Sequence, residues 1–179
     1  IINDNIMNNT FLPLGVKSIL NNPRLKGIHS TLGKIIDVKE EYITAIDTVL
    51  GTNKNVIVVD NETSAKNAIK YLKDNRLGRA TFFPLNIIKE RFIEDNILNS
   101  IKSIKGYIDI ASNLVSYDSI YSNIIKNQLG NIIVVDNIDT LNIVAKKINY
   151  KYRIVTLEGD ISLTGGALTG GINKNKDSN

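Results

Sequence analysis

Cysteine does not occur in the chain, which removes disulfide frameworks, thiolate zinc sites and cysteine nucleophiles at once and makes a reducing compartment the natural home. His29 is the single histidine, so an imidazole-based metal site has no second ligand, while carboxylate sites stay open. Tryptophan is missing and prolines number three, too few for a linker-rich or disordered chain. No run approaches the ~20 apolar residues that a membrane span requires, and the N-terminus lacks the basic-then-apolar order of a secretory leader. No membrane partner is expected. Acidic residues are missing from two segments. Residues 5–36 hold Lys17, Arg24, Lys26 and Lys34 without one Asp or Glu, and residues 140–157 hold Lys146, Lys147, Lys151 and Arg153 on the same terms. The net charge of +4, from 22 basic and 18 acidic residues, names no partner by itself. Its excess sits in those two segments.

What is present is a globular composition, 42% apolar over 179 residues. A chain of that size buries roughly 70% of its unfolded surface, as one domain or two small fused lobes. An internal duplication organises it. Asn55-Val-Ile-Val-Val-Asp-Asn61 returns as Asn131-Ile-Ile-Val-Val-Asp-Asn137, an offset of 76. Upstream, Leu50-Gly51 returns as Leu129-Gly130, Tyr42 as Tyr121 and Gly27 as Gly106, all at 79. The difference is a short insertion around residues 52–54. Downstream, residues 79–83 align with 153–157 at an offset of 74.

Each copy predicts the same order of elements. A short β segment with its turn (27–37; 106–117) leads to a helix (40–50; 118–129) that ends at Leu-Gly, the glycine suiting a C′ position of positive φ. A β-branched strand buried on both faces follows (56–59; 132–135), then an Asp-Asn turn, a second helix (63–75; 138–148) and a closing strand. Strand–helix–strand implies a right-handed crossover and a parallel pair. The fold class is therefore α/β, with two similar lobes, each a small sheet with packed helices. Ile87, Ile88, Phe92, Ile93, Ile97 and Leu98 predict a helical connector over 85–105. The expected organisation is a lead-in at 1–14, lobe I at 15–84, the connector, lobe II at 106–171 and an exit at 172–179.

Candidate chemistry is sparse. Gly27-Ile-His-Ser-Thr-Leu-Gly33-Lys34 approaches a phosphate-binding loop, but five residues separate its glycines and Ile35 stands where a magnesium-binding hydroxyl belongs. A glycine-flanked hairpin is the plainer reading. Gly165-Gly166-Ala167-Leu168-Thr169-Gly170-Gly171 permits positive φ or very close backbone approach, and its apolar residues are unlike a flexible linker; another backbone is expected to pack on it. Asp60 and Asp136 lie at strand ends where α/β enzymes place carboxylates, yet each precedes Asn and a helix start, so turn formation and capping account for them. A small α/β enzyme or ligand-binding domain using Asp60 and Asp136 is the alternative function, and a homodimeric scaffold without DNA affinity is a third. Around His29 the sequence assembles no nucleophile and orienting acid, so it reads as a turn residue. No catalytic residue, cofactor or metal site is assigned.

Several segments together resemble the hinge family of structural-maintenance-of-chromosomes (SMC) proteins of bacterial type. They are Gly15-Val-Lys-Ser-Ile-Leu20, Gly27-Ile-His-Ser-Thr31, Glu41-Tyr42 with Ala45-Ile46 and Leu50-Gly51, Leu77-Gly-Arg-Ala-Thr-Phe-Phe-Pro-Leu85, Leu129-Gly-Asn131 with Val134-Val135, and Tyr152-Arg-Ile-Val-Thr-Leu-Glu-Gly-Asp160 running into the glycine-rich segment. The resemblance implies a non-catalytic module that pairs with a second, identical hinge through sheet edges, with Gly165, Gly166, Thr169, Gly170 and Gly171 at the interface. It implies coiled-coil arms on both sides and ATP hydrolysis in head domains outside this chain. A kleisin and accessory subunits would be reached only through the full-length protein, in a cytoplasmic, nucleoid-associated setting. Weak, non-specific DNA binding is implied as well, for which the two acid-free basic segments supply the candidates.

Overall fold

The computed structural model describes residues 11–172; most of the lead-in and of the exit lies outside the described residues. Lobe I runs α1 (Leu14–Leu20), β1 (Ile28–Thr31), the one-turn α2 (Leu32–Ile35), β2 (Asp37–Val38), α3 (Ile43–Leu50), β3 (Ile57–Val59), α4 (Glu62–Asp74) and β4 (Phe82–Pro84). After α5 (Asp95–Ile101), lobe II runs β5 (Tyr107–Ile110), β6 (Val115–Ser116), α6 (Ser122–Leu129), β7 (Ile133–Val135), α7 (Ile138–Lys147), β8 (Ile154–Thr156), β9 (Ile161–Ser162) and β10 (Leu168–Thr169). The lobe I sheet has the order β1-β3-β4, and the lobe II sheet β10-β9-β8-β7-β5. The strand pairs flanking each crossover helix, β3 with β4 and β7 with β8, are parallel.

The β-branched runs explain how the lobes join. On β3, Val58 faces a large central core while Ile57 and Val59 face an outer core with α1 and α4. On β7, Val134 joins the same central core, and Ile133 and Val135 face an outer core with α5 and α7. Period-two alternation thus buries both faces of each strand. The central core takes Ile46, Val49 and Leu50 from α3 and Ile124, Ile125 and Leu129 from α6, so the two lobes share one interior. The β2–β6 ribbon crosses between them, pairing Asp37 with Ser116 and Val38 with Val115. Asp37 and Ser116 are duplicates at the offset of 79, so an internal pseudo-two-fold passes through that pair.

Three expectations change. Residues 27–33 form no hairpin: β1 runs directly into α2. The third strand is equivalent at an offset of 72 rather than 74, because Ile57 pairs Phe82 while Ile133 pairs Ile154. The four residues missing from the second copy's crossover correspond to about one helical turn, and α7 has 10 residues against 13 in α4. In the connector only residues 95–101 are helical. Residues 89–94 instead form an extended strap across lobe II, held by Asn127 Nδ2 donating to the Lys89 carbonyl at 2.8 Å and by the Glu90 and Arg91 amides on Asn123 Oδ1 and the Lys126 carbonyl. Helix α1 had a signal that the sequence reading did not use, since Val16, Ile19 and Leu20 lie at helical spacing directly after Pro13.

Candidate functional site

On the crossover side of each lobe the sheet ends in a strand with one unpaired side, β4 in lobe I and β10 in lobe II. In lobe I, Ile57 N–H donates to the Thr81 carbonyl and Leu85 N–H to that of Val59. By the alternation of a ladder, Phe82 and Pro84 then turn their backbone polar groups to the unpaired side of β4. Proline is tolerated there because no strand of the same chain needs its N–H. In lobe II the corresponding side of β8 is covered by β9 and β10. The turn between β8 and β9 is tied by Thr156, whose N–H donates to the Asp160 carbonyl at 2.9 Å and whose hydroxyl accepts from the Asp160 amide at 3.1 Å. Strands β9 and β10 form a hairpin in which Leu168 pairs Ser162 and Thr169 pairs Ile161. Leu163 N–H donates to Ala167, which leaves Leu168 and Gly170 facing outward on the open side of β10. Leu163 and Leu168 are exposed apolar residues on this hairpin, with Ile172 just beyond it.

The glycines of this hairpin are required first by its own chain. Gly165 and Gly166 make the turn at φ +96° and +111°, and Gly165 N–H donates to the Tyr150 carbonyl at 2.9 Å. A side chain on Gly170 would overlap the Asp160 carboxylate. Leucine–threonine repeats on either side of Gly-Gly are a hairpin signal that the sequence reading passed over. Thr169, Gly170 and Gly171 are exposed, as an edge requires.

The basic candidates separate by electrostatic state. Lys17 and Arg24 line an open cleft of about 680 Å³ with Ser18, Asn21 and Tyr71. Lys34 lines a neighbouring cleft of about 380 Å³ that shares Asn21 and includes His29 and Ser30. Lys26 is exposed beside them. None of these four makes an ion pair among the described residues. In lobe II, Lys146 and Lys147 are exposed in the last turn of α7, where the helix dipole favours them without any ligand. Lys151 is paired with Glu94 of the strap and lies 5.8 Å from the Tyr152 ring; that carboxylate raises the lysine pKa. Arg153 is half-buried, and burial, then the nearby Arg91 charge, lowers its pKa. The acid-free stretch of sequence is therefore not acid-free in space.

The strand-end carboxylates diverge too. Asn61 and Asn137 are the helix caps, their side chains accepting from Ser64 N–H and Thr140 N–H. Asp136 accepts from the Asn137 amide at 2.7 Å. Asp60 instead meets His29 Nε2 at 2.6 Å, and His29 Nδ1 meets the Tyr121 hydroxyl at 2.9 Å. His29 thus has an orienting acid after all, with the Tyr121 hydroxyl on its other ring nitrogen. No group of three His, Asp or Glu able to hold a metal occurs among the described residues, and none of their helices is long and apolar enough to cross a membrane.

The family profile described as SMC proteins Flexible Hinge Domain matches residues 25–145, from the start of the first copy into α7 of the second. The chain belongs to the SMC hinge family. Its curated relatives include the chromosome partition protein Smc of Bacillus subtilis, 39% identical over 91% of this chain, and that of Mesomycoplasma hyorhinis, 40% identical over 96%. The hinge spans 14% and 18% of those two proteins' lengths. Among solved structures, the SMC hinge of Geobacillus stearothermophilus, crystallised as an asymmetric dimer, superposes with a TM-score of 0.89 at 40% identity, covering 97% of this chain and 73% of that one. The hinge of Pyrococcus furiosus gives 0.76 at 32% identity, covering 95% of this chain and 86% of that one. Two similar α/β lobes from one duplication are thus the fold of the SMC hinge.

Proposed function

We propose that this hinge pairs with a second copy of itself by adding the open side of β10 in one chain to the open side of β4 in the other, twice, in a closed two-fold ring. The observation that carries this reading is the difference between the duplicated sheets: lobe I leaves unpaired the β4 side that lobe II covers with β9–β10. Strand addition supplies main-chain hydrogen bonds at an edge otherwise liable to aggregate. Gly165, Gly166, Thr169, Gly170 and Gly171 then lie at or beside the interface, with Leu168 as an apolar contact. The G. stearothermophilus dimer supports a second hinge as the partner.

In the longer protein the dimer joins two coiled-coil arms of a chromosome condensation and segregation ATPase. Hydrolysis belongs to head domains outside this chain, and the setting is the nucleoid. DNA is contacted weakly and without sequence readout through the basic surface, chiefly at Lys17, Arg24, Lys26 and Lys34, which make no ion pair among the described residues. Lys146, Lys147, Lys151 and Arg153 are the secondary surface.

Sedimentation at micromolar concentration tests the pairing with Leu168→Pro, which deletes an outward N–H on β10. Expected is a dimer for the native chain and a monomer of unchanged circular dichroism for the variant. A native monomer, or a variant that stays dimeric, sinks the proposed geometry.

A further inference from the structure

We infer that Asp60, His29 and Tyr121 form a polar strut that fixes the angle between the two lobes. His29 lies on β1 and Asp60 follows β3, both in lobe I, while Tyr121 ends the 3-10 turn before α6 in lobe II. A carboxylate at Asp60 accepts, so His29 Nε2 carries a hydrogen toward it, and in that tautomer Nδ1 is the acceptor for the Tyr121 hydroxyl. Burial, then the Asp118 and Asp60 charges, raise the Tyr121 pKa and keep that hydroxyl a donor. The His29 and Tyr121 rings also meet edge-on, 5.5 Å between centroids at 86°, so both the direction and the distance of the contact are set.

The pseudo-two-fold shows why the contact is more than packing. It carries His29 onto Ile108, Asp60 onto Asp136 and Tyr121 onto Tyr42. Ile108 and Tyr42 both pack against the central core, and Asp136 turns to its own helix. The symmetry-related position is therefore apolar and tolerant of sliding, since apolar burial is non-directional. The other is a directional relay with one satisfactory geometry. Between them runs the two-residue β2–β6 ribbon, the natural line of rotation. Because β4 lies in lobe I and β10 in lobe II, the angle that the strut holds is the angle at which the chain presents its open edges.

The test lies within one chain and needs no edge pairing. Amide hydrogen exchange is compared for the β2–β6 ribbon and for β3 and β7 in the native protein, His29→Ile (the residue at the symmetry-related position), Tyr121→Phe and the double variant. Each single change is expected to speed ribbon exchange about five- to ten-fold, the scale of one net hydrogen bond, while β3 and β7 stay protected. The double variant should be no faster than His29→Ile. Because the chain has no cysteine, spin labels introduced at Lys66 and Asn142 report the inter-lobe distance directly, and its distribution should broaden in both single variants. Unchanged ribbon exchange with an unchanged distance, equal acceleration in β3 and β7, or additive effects in the double variant would overturn the strut. Tyr121→Phe keeps the ring, so the test survives if His29→Ile fails to fold.

Discussion

Gly51 and Gly130 occupy the same place in the duplication, and replacing each by alanine should cost stability for different physical reasons. Gly51 closes α3 at φ +52° and ψ −133° with nothing within 4 Å of a built Cβ, so Gly51→Ala meets only the backbone penalty of a region that glycine alone adopts readily, ~1–3 kcal/mol. Gly130 closes α6 at an ordinary φ of −75°. Its Cβ would instead overlap the carbonyls of Arg91 and Lys126, both backbone, which cannot rotate away. Accommodating it means lifting the strap, with loss of the Arg91 N–H bond to Lys126, 3.3 Å, and disturbance of the buried Ile93 beyond it. Overpacking costs ~1–3 kcal/mol, and a freed strap adds about 1 kcal/mol per lost hydrogen bond. Gly130→Ala should therefore be destabilised by roughly 3 kcal/mol in all. For a domain of this size that corresponds to a Tm loss of roughly 6–12 °C. Urea titration with hydrogen exchange distinguishes the mechanisms: amides 89–94 should lose protection in Gly130→Ala and keep it in Gly51→Ala. A protected strap in Gly130→Ala, or a Tm no lower than that of the native chain, would refute the close-approach account.

Charge reversal at Lys17 and Arg24 should lower DNA affinity and the salt slope, by about one power of salt concentration per phosphate contact removed. Reversal at Lys147 and Lys151 should do less, because Lys151 already has Glu94; fluorescence anisotropy at several salt concentrations checks the order, and a larger effect in lobe II would reverse it. Asn61→Ala and Asn137→Ala should each cost about 1 kcal/mol, measured by urea midpoint, and a neutral result at either would remove its capping role. Burial first, then Asp109, raises the Tyr107 pKa, so the native state holds that proton more tightly than the unfolded chain. Its contribution is full below about pH 10 and is lost as pH rises through the native value; Tyr107→Phe should flatten the alkaline fall in stability seen by circular dichroism.

Local and periodic features were legible in the sequence, and contacts across the chain were not. The runs at 55–61 and 131–137 fixed both buried strands because alternation and β-branching act within a few residues. The third strand was misaligned by two residues for a related reason. A slip of two preserves which side chains face the core, so hydrophobic pattern alone does not resist it, and only the ladder partners of Phe82 and Ile154 decide. Lys151 read as an unpaired cation because its acid, Glu94, lies 57 residues away. His29 read as an isolated turn residue because Tyr121 lies 92 residues away. The glycine-rich segment was recognised as unusual but assigned to an outside partner, whereas Gly165 and Gly166 are already demanded by positive φ. Substituting those glycines would thus confuse turn strain with loss of pairing, which is why the interface test rests on Leu168.

The copies matter most where they differ. Two identical lobes would offer the same edge twice, whereas unlike edges meet head to tail and leave association open-ended unless the rotation closes. Here the second copy carries an added hairpin beyond β8, while the first stops at β4 with Pro84 on its outer side. The two edges are unlike. In the proposed pairing each β10 meets a β4, and the second contact is the first one repeated by a two-fold axis, so association ends at two chains. The Asp60–His29–Tyr121 relay belongs to the same argument. It too is present on one side of the pseudo-two-fold only, and it sets the relative orientation of the lobes that carry the unlike edges. If Leu168→Pro gave a monomer whose ribbon exchange matched the native chain, the edge contact and the strut would be separate devices, one closing the ring and the other setting its shape.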